Sequence, residues 1–307
     1  MPIPAPPVLS HLETADTVVR VELGLTAYLA EPRLWATDGA ARVLRAFLAL
    51  VPSSGATYYT TSLLTTWRTR RGDDLAILAE ALSARGFVVA PLRHQFWFRL
   101  ADDPGAPGLG FSYTEIDPAR ATRSAVLEVT LPFGTDPEKL RALSEEVGRT
   151  GPLHALIGGY AARWNPRFRA LAFSQLHRWC RRYLGLDVQV PEEMAWHAPR
   201  ALPGVNWLTL VGEKLARERD LDLAALAARF KEPVWATDLP SGLLLRAGAT
   251  PTLGDLNALE WPAAQAEVAR ALVDLLVEEP PGFWGDFHDL ADTGKWFRRL
   301  VAPTEWE

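Results

Sequence analysis

The sequence predicts an α/β fold of the α+β kind: mixed, largely antiparallel sheets with helices packed on them. Three observations carry this. Strand-like and helix-like segments alternate along the 307 residues. Several strands come in close pairs, 87–92 with 96–101 and 233–239 with 242–249, and connections that short permit only antiparallel pairing. The order β-α-β-α-β-β over residues 17–101 also returns over 153–249, and the ends of the two runs, VVAPLRHQFWFRLA and VWATDLPSGLLLRAGA, look alike. The chain therefore divides into two similar lobes, residues 1–150 and 151–307, or forms one continuous domain.

The elements follow in order. Residues 17–30 alternate imperfectly as a strand. Asp38 is placed to cap a helix over 39–51, where Val43, Phe47 and Leu50 recur at helical spacing. A strand at 57–64 precedes a helix at 73–85, which has acids in its first turn and Gly86 at its end. Strands at 87–92 and 96–101 lead through a Gly/Pro loop, 102–110, to strands at 110–117 and 124–132. The clearest helix has Asp136 as cap, Pro137 at its first position, Leu140, Leu143 and Val147 as its apolar stripe, and Gly148 as its stop. A strand at 153–160 and a long helix at 166–184 follow, the latter burying Phe168, Leu171, Leu176, Trp179 and Tyr183. A strand at 204–212, helical segments at 213–231, the pair 233–239 and 242–249, a helix at 261–277 and an irregular aromatic tail with a last helix at 293–300 complete the chain.

Composition bounds the function. With 48% hydrophobic and 22% charged residues the chain is an ordinary globular protein, long enough to build a core without cross-links. One cysteine, Cys180, excludes an intramolecular disulfide and reads as a buried structural thiol. The N-terminus lacks the basic and apolar regions of a signal peptide, and no apolar run approaches the roughly 18 residues that span a bilayer. These point to the cytoplasm and away from a membrane. A formal charge of −5 argues against nucleic-acid binding, which needs a basic face.

Catalytic signatures are missing. There is no G-x-S-x-G elbow, no phosphate-cradling glycine loop, and no pair of histidines at helical metal-binding spacing. The carboxylate pairs Asp73-Asp74, Asp102-Asp103 and Glu192-Glu193 are sequence neighbours that point in different directions, so they read as solvated groups. His288, with Asp286, Asp289 and Asp292 around it, is the one crowded spot. It reads as a loop whose acids cap the last helix, and alternatively as a metal site of a hydrolase. The sequence thus assigns no catalytic, cofactor or metal-ligating residue.

The charge is uneven. Residues 274–307 carry eight acids against three bases, an excess equal to the whole net charge. Phe283, Trp284, Phe287, Trp296, Phe297 and Trp306 lie among those acids. Rings supply apolar anchors and acids supply steering, the make-up of a protein-binding patch for a basic partner. The candidate partner-binding residues are therefore Glu278, Glu279, Trp284, Asp286, Asp289 and Asp292. The alternative is a tail that covers the sheet, aromatics inward and acids outward. Four further tryptophans, Trp97, Trp179, Trp207 and Trp235, lie on strands or helices and read as core.

Gly204-Val205-Asn206-Trp207-Leu208-Thr209, then Gly248-Ala249-Thr250-Pro251 and Gly254-Asp255-Leu256-Asn257, precede an amphipathic helix and the Phe283-Trp284 and Trp296-Phe297 pairs. This pattern resembles the bacterial type VI secretion immunity family, whose characterised members neutralise VRR-NUC nuclease effectors. The resemblance implies a cytoplasmic inhibitor that binds a cognate toxic effector, a nuclease, and blocks its active site or substrate cleft. It implies no enzymatic activity. Gly204 and Gly254 read as turn residues, Trp207 as core, and Asp255 and Asn257 as turn formers. A scaffold or adaptor unrelated to toxins is the competing reading, with the hydrolase around His288 behind it. The sequence leaves the oligomeric state open.

Overall fold

The computed structural model describes residues 7–31, 38–52, 55–62, 64, 66–71, 95–116, 123–287 and 290–306. The expected helix at 73–85, the strand at 87–92, and His288 and Asp289 lie outside them. Eleven strands among the described residues join in one sheet. They are β1 (Val8–Ser10), β2 (Thr17–Leu29), β3 (Tyr58–Thr61), β4 (Arg68–Thr69), β5 (Gln95–Ala101), β6 (Gly110–Ile116), β7 (Ala125–Leu131), β8 (Leu153–Trp164), β9 (Leu208–Gly212), β10 (Val234–Leu239) and β11 (Gly242–Ala247). The spatial order is β10-β11-β9-β8-β2-β7-β6-β5-β3-β4, with β1 added beside β2. Every ladder between these strands is antiparallel, and the sheet does not close into a barrel.

The long ladder between β2 and β8, running from Val19 opposite Trp164 to Leu29 opposite Leu153, joins the first half of the chain to the second. The halves differ in strand order. β8 is flanked by β9, the next strand in sequence, whereas β7, β6 and β5 separate β2 from β3.

Helices cover both faces. On one lie α1 (Ala40–Leu50) and α2 (Pro137–Thr150), which bury Val43, Leu44, Phe47, Leu140, Leu143 and Val147 against Leu23, Leu25, Leu127, Val129, Phe98, Phe111 and Tyr113. Period-2 alternation puts these strand residues on one side. Asp136 caps α2 as expected, its carboxylate accepting from the Glu138 N–H at 3.0 Å. α2 runs past Gly148, because Gly148 serves packing instead of termination: an added Cβ there would lie 2.6 Å from Leu239 Cδ1 of the β10–β11 hairpin. Asp38 does not cap α1. Gly39 occupies the cap position, in helical conformation and without a side-chain bond.

The opposite face holds α3 (Arg169–Cys180), the one-turn α4 (Pro191–Met194), α5 (Glu213–Glu218), α6 (Leu223–Ala228), α7 (Ala263–Ala271) and α8 (Leu290–Arg298). Three expectations shift here. The helix foreseen at 166–184 divides into a 3-10 turn, Pro166–Phe168, and α3. It buries Ala172, Phe173, Leu176 and Cys180, with Leu171 exposed and Phe168, Trp179 and Tyr183 half-buried, so the face is rotated from the predicted one. The helix foreseen at 261–277 stops at Ala271 and continues as a 3-10 turn, Val273–Leu275.

The aromatic tail packs onto α3. Phe173 meets Phe283 at 5.2 Å and Phe287 at 6.4 Å between ring centroids, and the Trp306 indole donates to the Cys180 carbonyl at 3.0 Å. Gly285, at φ +65°, lets the chain turn hard against α3, where a Cβ would sit 2.5 Å from Ser174 N. Buried Arg299 fixes the end of the tail by donating to the Leu184, Leu186 and Trp296 carbonyls at 2.7, 2.8 and 3.1 Å. No helix among the described residues is long and apolar enough to cross a membrane.

Candidate functional site: a polar groove on the uncovered part of the sheet

The α3 and tail layer does not extend over β5, β6 and β7. Beyond the row of Trp97, Thr114, Val126 and Tyr28, the residues on this face are small or polar, in register across the strands: Arg99 opposite Ser112, Ser112 opposite Glu128, and Glu128 opposite Thr26. The next row is Ala101, Gly110, Thr130 and Gly24. With no bulky side chain to fill the space, a groove of about 410 Å³ remains, within the size range of ligand pockets. One wall is the loop through Asp103, Pro104 and Pro107, and the other is Gln189 to Glu193, which includes α4.

Three arginines line the groove, Arg99, Arg163 and Arg169, the last lying over the Trp284 and Trp164 rings at 4.1 and 5.5 Å. Arg163 crosses from β8 over Gly24, where an added Cβ would lie 2.6 Å from its Nη2. It donates to Thr130 Oγ1 at 2.7 Å and to the Val129 and Ala162 carbonyls at 3.3 Å each. Arg99 spans the groove to Glu192 Oε1 of α4 at 2.8 Å. Glu128 is placed differently. Its ion-pair partner among the described residues is Arg163, at 3.9 Å, beyond hydrogen-bond reach. Burial pushes its carboxyl above the usual range, while the Arg163 and Arg99 guanidiniums pull it back. The wall is tied to the sheet by Tyr28, whose hydroxyl donates to Gln189 Oε1 at 2.6 Å, and by Gln189 Nε2, which donates to Asp187 at 3.1 Å.

The glycine-rich motifs of the second half lie away from this groove and build the fold. Trp207 is fully buried and donates to the Gly248 carbonyl at 2.9 Å. Buried Asn206 accepts from Trp207 N–H and from Gln265 Nε2 at 2.7 and 2.8 Å. Gly254 has φ +62°, and Asp255 accepts from Asn257 N–H and pairs doubly with Arg182.

A family model described as TsiV, type VI immunity for VRR-NUC, matches residues 60–300. The chain belongs to this family. Among solved structures, the Pseudomonas aeruginosa T6SS protein PA0821 is similar in fold, with a TM-score of 0.79 and 17% identity over 97% of this chain and 89% of that one. No curated protein matches the chain.

Membership makes this a type VI secretion immunity protein. As a TsiV-family chain it distributes the six expected from its sequence unevenly. Glu278 and Glu279 are exposed after the turn that follows α7. Trp284 is half-buried, under the Arg169 guanidinium at 4.1 Å and against Phe173 at 5.0 Å. Asp286 accepts from Ser174 Oγ at 2.9 Å, and Asp292 pairs with Lys295 at 3.1 Å. Asp289 is outside the described residues. The other tail rings, those of Phe283, Phe287, Trp296, Phe297 and Trp306, are core. Trp97 and Trp235 are half-exposed instead of core, and Trp235 stacks beneath Arg246 at 4.3 Å. Among the described residues no three His, Cys, Asp or Glu side chains converge as a metal site.

The carboxylate pairs Asp102-Asp103 and Glu192-Glu193 are expected from the sequence to be solvated groups, and no sequence motif marks the groove. Asp102 and Asp103 do organise a turn, accepting from Gly108, Leu109 and Gly105 N–H groups. Asp103, Glu192 and Glu193 also form the groove rim. The signal lies in β6 and β7, where Gly110, Ser112, Glu128 and Thr130 alternate with the buried Phe111, Tyr113, Leu127, Val129 and Leu131.

Proposed function

We propose that the chain neutralises a VRR-NUC nuclease effector by binding it in the cytoplasm and covering its active site or substrate cleft, with no catalytic step of its own. The observation that carries this reading is the family match over residues 60–300. Charge supports it. A nuclease presents a basic cleft to its polyanionic substrate, and a rigid acidic surface is complementary to that cleft. The chain carries −5 overall, and Asp274, Glu278, Glu279 and Glu305 are exposed.

The test is a DNA-cleavage assay with the effector and increasing amounts of the chain. Cleavage is expected to stop near one equivalent; undiminished cleavage at saturating chain would refute the proposal. Stopped-flow association should slow by about tenfold between low and high salt, because surface charges steer the encounter and are screened. A flat response would remove the acidic tail from the mechanism.

A further inference from the structure

The groove over β5–β7 has a chemistry more specific than a general acidic surface. Two of its three arginines are already bonded, Arg99 to Glu192 and Arg163 to Thr130 and two backbone carbonyls, and the third, Arg169, lies over the Trp284 and Trp164 rings at 4.1 and 5.5 Å. The anionic capacity is not used up. Glu128 on the floor has its nearest described cation at 3.9 Å, and Asp103 and Glu193 stand on the rim. The walls between rim and floor are apolar, formed by Trp67, Pro104, Pro107, Pro191 and Trp164. An apolar shaft ending at a carboxylate short of donors suits a long side chain with an aliphatic stem and a cationic head. No cluster of three His, Cys, Asp or Glu side chains forms around Glu128 to hold a metal among the described residues.

We infer that the groove seats an arginine or lysine side chain of the VRR-NUC effector, with the Glu128 carboxylate on its floor as counter-charge. This rests on the proposed inhibition of that effector and adds where the contact is made and by what chemistry. Ser112, directly opposite Glu128 on β6, leaves the space the incoming head needs. The Arg99–Glu192 pair holds α4 in place as one wall of the slot.

The experiment measures affinity between the full chain and a cleavage-dead effector by calorimetry, for wild type, Glu128→Gln, Ser112→Trp and Glu218→Gln. Glu128→Gln keeps the shape and removes the charge. It is expected to weaken binding about thirtyfold or more, because a buried cation on the partner loses its counter-charge. Ser112→Trp fills the groove and should weaken binding to a similar degree, while Glu218→Gln, exposed on α5 and outside the groove, should stay within about threefold. Replacing the effector's basic residues one at a time by Gln should identify one whose loss costs nothing further in Glu128→Gln. If wild type binds tightly and both groove variants bind within threefold of it, the groove is not the contact, although the inhibitor reading survives. If wild type does not bind the effector, both fall. Thermal melting checks each variant; should Glu128→Gln fail to fold, Ser112→Trp decides the matter.

Discussion

His154, at the start of β8, is buried with its Nδ1 unpartnered. Burial, helped by the nearby Lys214 charge, lowers its pKa from 6.5 to about 4. Between those values the unfolded chain binds a proton that the folded chain refuses, so this histidine's contribution to stability is full above pH 6.5 and is lost as pH falls toward 4. The loss is about 3 kcal/mol at 1.36 kcal/mol per pKa unit. Buried Glu22 works in the opposite direction. Its pKa is raised to about 6 by burial against the pull of Arg20, so it favours the folded state below pH 6. The two oppose one another near pH 5, and the clean readout is a difference. Denaturant titrations of wild type and His154→Gln from pH 7 to pH 4 should show the wild type losing its advantage progressively. Parallel curves would contradict the assignment.

At the scale of elements, the tail and α3 form one packing unit whose tightest point is Gly285. Replacement by alanine at φ +65°, with the Cβ 2.5 Å from Ser174 N and 2.8 Å from Ala170 O, should cost roughly 1–3 kcal/mol. Hydrogen exchange should accelerate in 290–306 first; unchanged melting and exchange would show that the turn is not held by contact with α3. Much at this scale was legible in the sequence. Strands β2, β5, β6, β7, β10 and β11 and helix α2 lie close to their predicted limits, because alternation and capping are local signals. The orientation of α3 was not legible. Its sequence offers apolar residues on several sides, and the choice of Phe173 and Cys180 over Leu171 depends on where the tail rings arrive, which is tertiary information.

The same limit applies to the molecule as a whole. Residues 17–101 and 153–249 read alike because strands and helices recur in the same sequence order, but which strands neighbour each other depends on contacts distant in sequence. The groove is not legible in the sequence for a related reason. Glu128, Ser112, Arg99 and Glu192 lie far apart in the chain and meet only through strand register and the placement of α4. The expected acids of the tail, by contrast, were visible because they are contiguous. A continuous sheet with both cores packed on shared strands β2 and β8 should unfold as one unit. Far-ultraviolet circular dichroism and tryptophan fluorescence should therefore give coincident denaturant transitions. Two separated transitions would mean that residues 1–150 and 151–307 melt independently.

The position of α4 has a consequence for how such an inhibitor changes partners. Met194 anchors this single turn in the core, while Glu192, Glu193 and, just beyond it, Trp196 face the groove or solvent. A drifting toxin could be followed by exchanging Glu193 and Trp196, leaving the Arg99–Glu192 pair, the Asn206–Gln265 knot and the sheet untouched. Recognition and folding would then be inherited through separate sets of positions, and lineages can keep one architecture while trading adversaries.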